Sequence, residues 1–302
     1  MEIKGISTVI ASVLMLMIVI ALAGTAYLYI SGTFTSKTAT TFEIIESVND
    51  TVTIRNSGTE AITNIKATLD GGDVNIAVVP NIQGLVGYWS FNEGSGSTTA
   101  DNSGNGNVGT LFNNPTWVDG KFGKALSFDG SNDYVEVPDS QSLRISSYSV
   151  AVWIKPQVDD DYWTGIVGKP GRNFNIWLGE SNDPNGGYIH HRFHSTGGGW
   201  NDGCPDTDRN AIKMNTWNFV VITNDGINCK TYVFNTETYQ VSGTVSGNLV
   251  VDNTNLQIGR NLDGGNGNYF SGIIDEVRIY NRALSESEIK QLHSGLVSPG
   301  QT

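Results

Sequence analysis

The chain has 302 residues and is acidic, with 30 Asp and Glu against 18 Lys and Arg and a formal net charge of −12. That balance, with no basic block, excludes nucleic acid as a partner, because phosphate binding needs clustered Lys and Arg. Thirty-six Gly, eight Pro and 10% aromatic residues, with recurring Asn-Gly and Gly-Asn pairs, indicate mainly β structure with many tight turns. The length leaves room for about two domains.

The first element is a charge-free run from Ile6 to Ile30, preceded by Lys4-Gly5. As a helix it would be roughly 37 Å long, more than the roughly 30 Å hydrocarbon core of a bilayer. A plain membrane anchor is one reading. Ala21-Leu22-Ala23 also offers the small-x-small site of a cleaved secretory signal, which would leave Gly24 as the first residue. Against that, the apolar run continues through Ile30 and Glu2 offsets Lys4. Residues 1–32 closely resemble the N-terminus of archaeal type IV pilin-like proteins. Ile10 stands at the fifth mature position, where bacterial pilins carry Glu. The resemblance implies a leader of residues 1–5, cut by a prepilin peptidase between Gly5 and Ile6. It also implies a hydrophobic helix over 6–36 that spans the membrane once in the precursor, then packs against other pilin-like subunits in an extracellular filament.

After a small polar exit come four short strand signals, 42–48, 51–55, 62–69 and 74–79, separated by Asn-Asp, Asn-Ser-Gly and Asp-Gly-Gly-Asp turns. They predict a small antiparallel β domain over 37–83, like the β head of archaeal pilins. Asn49-Asp50-Thr51 makes Asn49 a glycosylation candidate.

All seven tryptophans follow residue 84, which places the main core there. A dozen or so short strands, from Val86–Phe91 to Ile273–Tyr280, predict a two-sheet sandwich. Ser285-Glu286-Ser287-Glu288 is a capping box that opens a short C-terminal helix, and Gly295 stops it. Cys204 and Cys229 are permitted a disulfide if this part is extracellular; two free thiols are the alternative.

Five segments carry a second resemblance: Gly84–Gly96 (GLVGYWSFNEGSG), Asp101–Leu111, Gly120–Val137, Asn215–Ile222 and Gly272–Ser285 (GIIDEVRIYNRALS). In this order they look like a concanavalin A-like, laminin G-like jelly roll over 84–297, followed by a tail, 298–302. The resemblance implies a glycan or protein ligand and sometimes a calcium ion. By position Asp275 with Asn92 or Glu93 would hold that ion, and Asp101 and Asp129 are further candidates. The alternative is that these side chains cap turns, as Asp and Asn commonly do.

Residues 188–194, YIHHRFH, alternate. Ile189, His191 and Phe193 share one face, and Tyr188, His190, Arg192 and His194 the other. With Trp200 in the following Gly-rich loop, and Tyr162 and Trp163 in another, they form a candidate ligand surface of aromatic faces and planar polar groups, suited to sugars. A bond from Cys204 to Cys229 would pin the Trp200 loop. No close Glu/Asp pair on one strand, Ser/His/Asp motif, phosphate loop or zinc motif is present, so catalysis is not expected; a glycan-active enzyme is the least favoured alternative. A jelly-roll head displayed for adhesion is the reading that joins the two resemblances. A further expectation is that residues 296–302 return to pair with the small β domain.

Overall fold

The computed structural model describes residues 82–157, 163–180, 186–261 and 268–295, together with seven strands between residues 18 and 79. Gly5, Ile6, Asn49, Tyr162 and the 296–302 segment lie outside the described residues. The chain divides after Ile82 into two compact units.

In the first unit, Ile18–Ala21, Tyr27–Phe34, Ile62–Leu69 and Gly72–Val74 form an antiparallel sheet. Phe42–Val48, Thr51–Asn56 and Ala77–Val79 form a second sheet. The helix expected over 6–36 is therefore not what its described residues show. An apolar run satisfies helix and strand alike by hydrophobicity, and both segments are rich in the β-branched and aromatic types that favour strands. The small domain is also not purely antiparallel: Thr51–Asn56 runs parallel to Ala77–Val79. Among the described residues, no helix is long and apolar enough to cross a membrane.

The second unit is the expected two-sheet sandwich. One sheet runs in the order Gly199–Gly203, Gly186–Ser195, Asn175–Glu180, Trp163–Gly168, Leu256–Ile258, Tyr134–Val137, Gly109–Phe112, Thr98–Thr99. The other runs Thr116–Asp119, Lys124–Asp129, Ser271–Tyr280, Tyr148–Pro156, Asn218–Asn224, Asn228–Phe234, Thr238–Thr244, with Leu85–Trp89 also paired to Ser271–Tyr280. Their inner faces meet in one core that includes Trp89, Leu126, Val135, Val152, Ile166, Ile176, Phe193, Val220, Ile258 and Ile274. Alternation selects the inward residues; in Tyr134–Val137 only Val135 and Val137 are buried.

The capping box forms as expected. The Glu288 carboxylate accepts the Ser285 N–H (2.8 Å), and the Ser285 hydroxyl accepts the Glu288 N–H (3.4 Å). A hydrogen bond from Arg282 to the same carboxylate holds Glu288 down to about 2. The helix runs from Glu286 to His293, and Gly295 follows at φ 72°, the left-handed conformation that ends helices.

Candidate functional site

Three neighbouring strands build the site on the outward face of the first sheet. In Gly186–Ser195, Ile189, His191 and Phe193 are buried, while His190, Arg192 and His194 are half-buried on the other face. Trp177 is the cross-strand partner of His190. Trp163 lies one strand further on, its ring 4.3 Å from that of His190. Tyr188 departs from the expected exposure: it is 5% exposed. Its ring meets Trp163 edge-on at 5.5 Å and carries the Arg209 guanidinium at 4.9 Å. Gly179 makes that position accessible, since a Cβ there would stand 2.4 Å from the Tyr188 ring.

Trp163, Arg172, Trp177, His190, Arg192 and Asn268 line a cleft of about 210 Å³. The structure thus brings together three of the residues expected from sequence: Trp163, His190 and Arg192. It adds Arg172, Trp177 and Asn268. Trp200 belongs to the adjoining Gly199–Gly203 strand, and its side chain lies outside the described residues.

Arg172 is delivered by the turn between two strands. Its N–H donates to the Lys169 carbonyl (2.8 Å), and its own carbonyl accepts the His194 N–H (2.7 Å). Lys169 is fully buried, with Nζ 3.3 Å from Asp139 Oδ1 and donating to the Asp252 carbonyl at 2.9 Å. A buried ammonium so engaged fixes the turn, because leaving it unpaired would be costly.

On the opposite rim, His190 Nδ1 and Asp206 Oδ1 are 2.7 Å apart, and Arg192 Nη2 is 3.3 Å from the same oxygen. Burial, reinforced by the charge of Arg192, pushes His190 down to about 4. The ring is therefore neutral at pH 7, and a neutral ring that donates Nδ1–H to Asp206 keeps Nε2 as an acceptor. Arg192 also donates to the Cys204 carbonyl (2.8 Å). The Cys204–Cys229 disulfide is present, with Cα atoms 5.7 Å apart. It ties this rim to the Asn228–Phe234 strand of the other sheet, as expected if the pair formed.

The residues considered for calcium sit at turns. Asn92 Oδ1 accepts the Lys124 N–H and Asp275 Oδ2 accepts the N–H groups of Lys121 and Phe122, so both hold one turn. Glu93 accepts the Ala100 N–H, Asp101 those of Tyr88, Ser103 and Asn107, and Asp129 those of Ser131 and Asn132. Asp275 Oδ1 is buried without a hydrogen bond. Among the described residues no three His, Cys, Asp or Glu gather as a metal site.

The sequence profile of Laminin_G_3, the concanavalin A-like lectin/glucanases superfamily, matches residues 129–290, more than half the chain. The chain belongs to this superfamily. The concanavalin A-like domain is similar to adhesion G-protein coupled receptor V1 of Danio rerio, 27% identical over 153 residues. That match covers 50% of this chain and 2% of the receptor, so the chain spans a small fraction of the relative's length. Among solved structures, it resembles domain 4 of AbnA, an extracellular arabinanase from Geobacillus stearothermophilus solved with arabinotriose. Identity there is 25% and the TM-score 0.52, covering 69% of this chain and 98% of that one. The binding domain of botulinum neurotoxin serotype D gives 16% identity and a TM-score of 0.49, covering 70% and 52%.

Proposed function

We propose that the concanavalin A-like domain is a non-catalytic carbohydrate-binding module displayed outside the cell. The observation that carries this reading is the cleft itself. Trp163 and Trp177 supply apolar ring faces for the C–H face of a sugar, and Arg172, Arg192, His190 and Asn268 supply polar edges. The arabinotriose-bound domain of similar fold supports a carbohydrate ligand. Among the described residues, none of the six that line the cleft is a carboxylate, whereas glycoside hydrolysis ordinarily uses two. The disulfide suits an oxidising, extracellular setting.

Trp163→Ala is the direct test, because Trp163 is only half-buried at the cleft rim. In a glycan array that includes arabinotriose, the variant should lose at least tenfold in affinity, about 1.4 kcal/mol, with its thermal midpoint little changed. Undiminished binding would sink the cleft as the site. Hydrolysis of any array glycan would overturn the non-catalytic reading.

The charge-free run after Lys4-Gly5 favours a finer reading: a pilin-like subunit that carries this module on a surface filament for adhesion. Mass spectrometry of the mature N-terminus decides it. Ile6 as first residue supports the subunit, Gly24 supports secretion, and Met1 supports a static anchor.

A further inference from the structure

We infer that the strand Thr238–Thr244 is a self-pairing edge. It takes the same strand of a second copy, antiparallel about a two-fold axis through Val241, and so joins two second sheets into one.

An open sheet leaves backbone N–H and C=O groups unpaired along its outer strands, and proteins blunt such edges by shortening, charging, kinking or covering them. Most edges of this sandwich are blunted. Thr98–Thr99 is two residues long. Thr116–Asp119 is four, and ends on an Asp119–Lys124 ion pair of 2.7 Å. Gly199–Gly203 is five, bounded by glycines and carrying Asp202. Leu85–Trp89 is covered by the Asp101 loop: the Tyr88 N–H donates to Asp101 Oδ1 (2.9 Å), and the Tyr88 carbonyl accepts the Asn102 N–H (2.7 Å).

Thr238–Thr244 has none of these protections. It is seven residues long and pairs with Asn228–Phe234 residue for residue, without a bulge. Among the described residues, nothing pairs with its other side. Thr238, Gln240, Ser242 and Thr244 are exposed, and the residues between them are half-buried. The strand contains no proline, and no charged residue lies between Glu237 and Asp252.

That neutrality names the partner. Two copies of a chain of net charge −12 repel over most of their surface, and like charges directly opposite each other destabilise a strand pair. Along this strand there are none to oppose. A two-fold contact must also be complementary to itself. An axis through Val241, the middle residue, uses all seven positions. It sets Thr238 against Thr244 and Gln240 against Ser242, uncharged polar pairs of the kind that bond across strands. It sets Tyr239 against Gly243, so that two bulky side chains do not collide. Glu237 falls opposite Val245 rather than a carboxylate.

Directly opposed residues share one face of a sheet, so this axis stands normal to the sheet. The two clefts, each on the outward face of its first sheet, therefore face the same way. On the carbohydrate reading above, the dimer grips one surface at two points, which raises avidity without any new contact.

Sedimentation of the full chain in mild detergent, which shields the charge-free run Ile6–Ile30, tests this without any glycan. The parent should move from the mass of one copy toward that of two as its concentration rises. Gln240→Lys with Ser242→Lys brings lysine against lysine across the axis and should weaken association at least tenfold. Gln240→Glu with Ser242→Glu should do the same through carboxylates. Mixed in equal amounts, the two double variants should associate again, because each lysine then meets a glutamate. Both side chains are exposed, so the thermal midpoints should stay near that of the parent. A parent that stays monomeric at every concentration overturns the inference. So does a dimer that survives in either double variant, or a mixture that stays monomeric. The carbohydrate reading stands or falls separately, by the Trp163→Ala titration.

Discussion

Replacing Cys204 and Cys229 together by alanine should lower the unfolding free energy by about 3 kcal/mol. The bridge joins residues 25 apart in sequence. Closing a loop of that length removes roughly 3 kcal/mol of chain entropy from the unfolded state. Both half-cystines are almost fully buried, so the alanines also leave unfilled core space. For a unit of about 200 residues, the loss corresponds to a fall in thermal midpoint on the order of 10 °C. The change should reach the cleft as well, because the Cys204 carbonyl holds Arg192. Denaturant titration of the oxidised parent and the double variant checks the first part, and glycan titration the second. Equal denaturation midpoints would show that the loop is held by its other contacts.

The second large effect concerns acid. His191 is fully buried, with Tyr148 Oη 2.8 Å from Nε2 and Thr231 Oγ1 3.3 Å from Nδ1. Burial, and secondarily the charge of Arg192, pushes it down to about 3. Its pKa is near 6.5 when unfolded. Between these values the unfolded chain binds a proton that the folded chain refuses, so stability falls as pH drops. Nothing is lost above about pH 7, and about 2 kcal/mol is lost at pH 5. His191→Gln keeps a polar group for Tyr148 and cannot be protonated. It should be less stable than the parent at pH 7.5, yet should lose about 2 kcal/mol less on moving to pH 5. Parallel stability-versus-pH curves for the two proteins would show that His191 is not the titrating group.

Much of the sandwich was legible in residue pattern because each strand has one buried face. Alternation puts Val135 and Val137 inward in Tyr134–Val137, and the inward set Ile189, His191, Phe193 follows from it in the same way. The helix was legible for a local reason, since its capping box and stop glycine lie within eleven residues of chain. The cleft was legible only where a strand advertised it, at His190 and Arg192. Trp177 sits in FNIWLGE, which reads as core, and nothing local shows that its ring pairs across to His190. Arg172 lies in a turn that gains meaning only when Lys169 is buried beside Asp139 and Asp252. Tyr188 keeps the outward face that alternation gives it but is covered there, because Gly179 on the next strand leaves room for its ring beside Trp163 and under Arg209. The N-terminal stretch shows the limit of hydrophobicity as a guide: Ile18–Ala21 and Tyr27–Phe34 pair as strands in a run equally apolar as a helix.

The strand Ser271–Tyr280 sits inside its sheet, bonded along one side to Tyr148–Pro156 and along the other to Lys124–Asp129 and Leu85–Trp89. Its partners are made some 115 to 195 residues earlier in the chain. At about 5–20 residues per second of synthesis, those strands wait on the order of ten seconds or more for the segment that joins them. Until then two rows of backbone donors and acceptors stand open, the kind of edge that invites pairing with other chains. Such long-range closure also makes folding slow. A nascent chain stopped before residue 271 lacks the piece that joins the two parts of this sheet, so closure of the sheet waits for Ser271–Tyr280.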